Sequence, residues 1–134
     1  MKLDVLSDAD AVAAKGATMI ADAARAAIKE RGRFILAVSG GRTPWVMMAA
    51  LAREDLPWDS IHVTQVDERI APADSPDRNL MHLRETLLSR VPLPAENMHA
   101  MPVESDDVAA AAAAYGRTLE ALAGTPPALD LIHL

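Results

Sequence analysis

A strand that empties into a glycine loop sets the terms for this chain. Phe34, Ile35, Leu36, Ala37 and Val38 form an unbroken apolar run, and Ser39-Gly40-Gly41-Arg42-Thr43-Pro44 follows at once. Two consecutive glycines admit positive φ and let an anion approach bare N–H groups; Thr43 is placed to cap the next helix and Pro44 to fill its first position. Such a unit aims free N–H groups at one spot, where a phosphate is the usual occupant. The competing reading is a tight strand-to-helix turn that holds nothing.

The rest of the chain repeats the strand–helix rhythm. Lys2 to Leu6 reads as a short strand, and Ser7 or Asp8 caps a helix whose apolar positions run from Val12 to Ile28 and which Gly32 ends. Trp45 to Leu51 is a short buried helix, and Ile61 to Val66 is a second strand that stops at the charged triplet Asp67-Glu68-Arg69. Ser75 and Pro76 open a third helix through Leu80, Leu83, Leu87 and Leu88. Met98 to Met101 is a short strand, Ser105-Asp106-Asp107 opens an alanine-rich helix that ends near Gly124, and Leu129 to Leu134 is a last strand. Strands separated by helices imply an α/β fold: a doubly wound parallel sheet with helices on both faces and sites just beyond the carboxyl ends of its strands. We expect one α/β domain over residues 1–134, incomplete at its C-terminal end because the last strand has no loop after it.

Composition removes several classes of function. The absence of cysteine excludes disulfides and thiolate metal sites, and makes a cytoplasmic protein the default. The apolar runs are strand-length, well short of the roughly 20 residues that cross a bilayer, so we expect no membrane partner. A net charge of −6, scattered basic residues and 3% aromatics argue against nucleic acid. An acidic protein still binds a small phosphate, because a helix terminus and one or two arginines act over a few ångströms.

Asp67, Glu68 and Arg69 end what should be a strand beside the first, which puts them in one crevice with the glycine loop. A carboxylate there can move protons, and an arginine can clamp a phosphate in paired hydrogen bonds. Arg42, Arg78 and Asn79 are further candidates to surround an anion. A solvated, salt-bridged strand end is the competing reading of the triplet. The loop lacks the lysine of a Walker loop and the three spaced glycines of a dinucleotide fingerprint, which disfavours nucleotides. Ser39 lacks the upstream glycine of a nucleophile elbow. His62, His82, His99 and His133 show no metal-ligand spacing, and Trp45 and Trp58 read as core or core-edge residues.

Leu36-Ala37-Val38-Ser39-Gly40-Gly41-Arg42-Thr43-Pro44, then Val66-Asp67-Glu68-Arg69, then Asp74-Ser75-Pro76-Asp77-Arg78-Asn79, in this order, resembles the 6-phosphogluconolactonase family. The resemblance covers essentially the whole chain. It implies a sugar-phosphate isomerase-like fold and hydrolysis of 6-phospho-D-glucono-1,5-lactone to 6-phosphogluconate in the pentose phosphate pathway, without metal or organic cofactor. It maps the substrate loop onto Ser39, Gly40, Gly41 and Thr43 and the triplet onto Asp67, Glu68 and Arg69; with the candidates above, we expect substrate contacts at Ser39, Gly40, Gly41, Arg42, Thr43, Glu68, Arg78 and Asn79 and catalytic roles at Asp67 and Arg69. Arg42 and Arg78 stand where relatives often have serine. The resemblance further implies a chain nearly twice as long, with an Asp-Gly-His segment just after a strand like Leu129 to Leu134. The general-base histidine is therefore expected beyond Leu134, and these 134 residues alone are expected to be inactive. Two alternatives belong to other classes: a glucosamine-6-phosphate deaminase or sugar-phosphate isomerase, which Arg69 disfavours because the deaminases usually carry tyrosine there, and a non-catalytic sugar-phosphate-binding module. The oligomeric state is not legible in the sequence.

Overall fold

The apolar run behind the glycine loop is a central strand of a parallel sheet. The computed structural model describes residues 2–134. Among them, β1 (Phe34–Val38), β2 (Ile61–Gln65), β3 (Met98–His99) and β4 (Leu131–Ile132) pair in the order β3-β2-β1-β4. Phe34 lies opposite Ile61 and Val38 opposite Gln65, while Leu36 and Ala37 face Leu131 and Ile132 on the other side. All five residues of β1 are buried, as its unbroken apolar run requires.

Helix α1 (Ala9–Arg31) precedes β1, and three helices connect the strands: α2 (Arg42–Leu51), α3 (Asn79–Leu83), which runs on into one π-helical turn at Arg84–Leu88, and α4 (Val108–Ala123). Asp8 caps α1 by accepting the Ala11 N–H at 2.8 Å, and Gly32 ends it at φ 77°. The buried face of α1 is largely alanine (Ala13, Ala17, Ala21, Ala24, Ala27), so it packs close to α2, with Met47 lying over Gly16. Phe34, Leu36, Val38, Ile61 and Val63 share a core with α1, α2, Leu83 and Leu87. Ile35 and Ala37 point to the opposite face, over which α4 crosses from the β3 edge to β4. The chain thus runs from β1 through β2 to β3 in one direction and then back past both to β4, and in such sheets sites form just beyond the carboxyl ends of the strands.

The sheet ends are finished by side chains. Beyond β3, the Tyr115 hydroxyl accepts the Gln65 N–H and donates to the Gln65 carbonyl, each at 2.8 Å. It takes the place of the strand that has run out. At the start of β4, the Asp130 carboxylate accepts the Ile35 N–H at 2.8 Å and also engages Arg31.

Several expectations need correction. Lys2 to Leu6 forms no strand, and Leu3 and Val5 are exposed because nothing packs on them. Helix α2 starts at Arg42 with Gly41 at its cap position (φ 135°), so Thr43 is not the cap and Pro44 is the third helical residue. Proline is tolerated there because the first-turn N–H groups have no intrahelical acceptor. Ser75 opens a turn, accepting the Asp77 N–H at 3.2 Å, and α3 begins only at Asn79. The last strand is confined to Leu131–Ile132.

Candidate functional site

The ends of β1 and β2 stay in register one residue past the strands, since the Val66 N–H donates to the Val38 carbonyl at 2.9 Å. Ser39 and Asp67 are therefore carried to the same level, and the Ser39 hydroxyl donates to Oδ1 of Asp67 at 3.3 Å. Oδ2 of Asp67 accepts from Nη1 of Arg69 at 3.1 Å and from Nδ2 of Asn79 at 3.2 Å. The same Asn79 amide donates to the Asp67 carbonyl at 3.2 Å. A Cβ on Gly40 would lie 2.1 Å from Oδ1 of Asn79, so only glycine leaves room for that carboxamide. Ser39, Gly40, Asp67, Arg69 and Asn79 thus form one cluster, at the place where a parallel sheet builds its sites.

Glu68 and Arg78 are turned inward. The Glu68 side chain is inaccessible to solvent, and its carboxylate accepts from Nε2 of Gln65 (3.0 Å) and from the N–H groups of Arg69 (2.7 Å), Asn79 (2.7 Å) and Leu80 (2.9 Å). Two of these are orphan donors of the first turn of α3, so Glu68 caps that helix from outside it. Burial pushes its carboxyl pKa up, but these hydrogen bonds outweigh burial and hold it below the ordinary value. Arg78, 2% exposed, lies with Nε 3.3 Å from Glu68, although that N–H is not aligned for a hydrogen bond. Its Nη1 donates to the Ala71 carbonyl at 3.1 Å and to Glu104 at 3.2 Å. These contacts hold the segment from Asp67 to Arg78 against the loop that carries Glu104.

Arg42 and Thr43 occupy the first turn of α2 and are exposed. Among the described residues neither side chain has a hydrogen-bond or ion-pair partner. Helix α2 has no side-chain cap, so the N–H groups of Arg42 and Thr43 stay available beside an unengaged guanidinium.

The histidines lie elsewhere. His62 and His99 stack on neighbouring strands, Nδ1 to Nε2 at 3.2 Å; His82 stacks on Trp45; and the His133 N–H bonds the Ala37 carbonyl. Burial, then the neighbouring charges of His99 and Arg33, holds the His62 pKa below its ordinary value, and burial does the same for His99 and His133. Among the described residues no group of three or more His, Cys, Asp or Glu side chains could hold a metal, and no helix is long and apolar enough to cross a membrane.

Gln65, Glu104 and Tyr115 also brace this region, through Glu68, Arg78 and the end of β2. Gln65 carried a usable signal, an amide ending a buried strand: it donates to Glu68 and accepts the Met101 N–H at 2.9 Å. Glu104 and Tyr115 carried none, because their partners are distant in the chain.

The profile of the family described as glucosamine-6-phosphate isomerases/6-phosphogluconolactonase matches residues 7–134. A 6-phosphogluconolactonase of Nostoc sp. is 41% identical over 98% of this chain and 57% of its own length, and one of Synechocystis sp. is 37% identical over 99% and 57%. The chain thus spans a little over half the length of these relatives. Among solved structures, 6-phosphogluconolactonase from Thermotoga maritima superposes with a TM-score of 0.80 at 27% identity, over 87% of this chain and 52% of that one. A monomeric glucosamine-6-phosphate deaminase also reaches 0.80, at 20% identity over 91% and 51%, a likeness of fold alone. With a profile that covers nearly all its residues and a relative of this identity, the chain belongs to the glucosamine-6-phosphate isomerase/6-phosphogluconolactonase family.

Proposed function

We propose that the protein carrying this chain hydrolyses 6-phospho-D-glucono-1,5-lactone to 6-phosphogluconate, and that residues 1–134 supply the glycine-loop half of its site. The observation that carries the reading is the joining of Ser39, Asp67, Arg69 and Asn79 beside the open first turn of α2. The relatives named above, all but one of them lactonases, supply the reaction.

In this mechanism the substrate phosphate or a developing oxyanion sits at the N–H groups of Arg42 and Thr43, with the Arg42 guanidinium alongside. Water attacks the lactone carbonyl and its proton passes to a general base. The carbonyl oxygen gains charge, then the ring C–O bond breaks and the departing oxygen takes up a proton. A well-placed donor at the developing oxyanion is worth about 3 kcal/mol. Asp67, held by Ser39, Arg69 and Asn79, orients the substrate hydroxyls, and we assign the base to a histidine outside these 134 residues. Glu68 and Arg78 act as scaffold in this reading, Glu68 by capping α3 and Arg78 by tying the segment that follows β2.

A coupled assay with the full-length protein tests this, with acceleration of lactone hydrolysis well above the spontaneous rate as the expected result. Release of ammonia from glucosamine 6-phosphate with the lactone untouched would replace it by the deaminase reading. Binding of 6-phosphogluconate without turnover would replace it by a non-catalytic module.

A further inference from the structure

The Asn79 side chain is a polar group in the cluster that spends its donor entirely on a neighbour. Its residue is 8% exposed; Nδ2 holds both the carbonyl and Oδ2 of Asp67, and Oδ1 lies in a notch that exists only because residue 40 has no side chain. With both amide hydrogens committed to Asp67, the side chain has no donor left for a substrate. It is well placed to set the carboxylate beside it.

We propose that Asn79 is a positioning residue, locked into the Gly40 notch, that fixes the Asp67 carboxylate against Ser39 and so couples the glycine loop to the end of β2. The lock joins elements distant in sequence: the loop after β1, the triplet after β2 and the first residue of α3. Without the amide, Asp67 keeps Ser39 and the exposed Arg69, neither of which fixes the plane of its carboxylate. A displaced orienting group lowers turnover more than it lowers binding.

The kinetic arm of the test rests on the lactonase reading; the stability arm does not. In the full-length protein, Asn79→Ala is expected to lower kcat for the lactone by about 30-fold and leave KM within about twofold. Asn79→Asp places a second carboxylate against Asp67 and near Glu68, with Arg69 and Arg78 as the neighbouring cations. Its kcat relative to wild type should be poor at neutral pH and recover as pH falls and the new carboxyl regains a proton to donate. Asn79→Ala should show no such recovery. In the stability arm, Gly40→Ala should lower the melting temperature clearly in the wild-type background and by less than half as much in Asn79→Ala, where the notch is empty. A raised KM with kcat intact would make Asn79 a substrate ligand and overturn the proposal, as would additive melting shifts or a lack of pH recovery in Asn79→Asp. Absence of lactone turnover in the wild type would sink the functional reading alone, and the melting cycle would still decide the lock.

Discussion

Glu68 accepts four hydrogen bonds in a site closed to solvent, and the nearest cation is the Arg78 guanidinium at 3.3 Å. Removing its charge while keeping its shape leaves Arg78 buried with only the exposed Glu104 as an ionic partner. Glu68→Gln should therefore destabilise the fold by about 3 kcal/mol, read as a lower urea midpoint, because a buried charge loses its compensation. Arg42 presents the opposite case. It is exposed and unengaged, so its loss should not alter stability but should weaken capture of an anion. Under the proposed function, Arg42→Ala should raise KM for the phosphorylated lactone about tenfold, or about 1.4 kcal/mol, with kcat little changed. Both arginines read alike in the sequence as additions of positive charge near a phosphate. Burial separated them, and burial depends on which loops close over a side chain.

At the scale of elements, the strand–glycine loop–helix unit was legible because its determinants are local: an apolar run, two glycines and a proline within a few residues. The start of α3 was not. Ser75-Pro76 is a good local opening, yet the helix begins at Asn79, because Glu68 from the preceding strand end accepts the first-turn N–H groups there. A tertiary cap overrode a local one. Tyr115, the buried residue of α4, likewise completes β2, a role its position among alanines did not announce. Tyr115→Phe should cost about 1–3 kcal/mol, since it leaves both backbone groups of Gln65 without that partner, and hydrogen exchange at Gln65 should speed up markedly. Unchanged exchange at Gln65 would show that the ladder end is held by other means.

For the whole molecule, the histidines set a pH dependence. His62, His99 and His133 all have folded pKa values below the ordinary 6.5, so the unfolded chain binds more protons than the folded one between these values. Their stabilising contribution is complete above about pH 6.5 and is lost as pH falls through the lowered folded values. Glu68, also lowered, adds its own loss only below its ordinary value of 4.5. Unfolding free energy should thus decline in two steps on acidification. Replacing His62 and His99 by glutamine should shrink the upper step to the share of His133 and leave the lower one. A decline confined to pH below 4.5 would show that the histidine pair carries no linkage.

The class of fold, the alternation of strands and helices, and the two segments that meet beyond β1 and β2 can be read along the chain. These follow from local periodicity and from residues that permit or forbid a backbone conformation. Which side chains at those strand ends are free depends on contacts between distant segments. They turn Glu68 and Arg78 inward, leave Arg42 open, and set Asn79 in the notch of Gly40. The physical reason is that donors and acceptors are allotted by distance in space among loops separated in the chain, and no local pattern encodes that allotment.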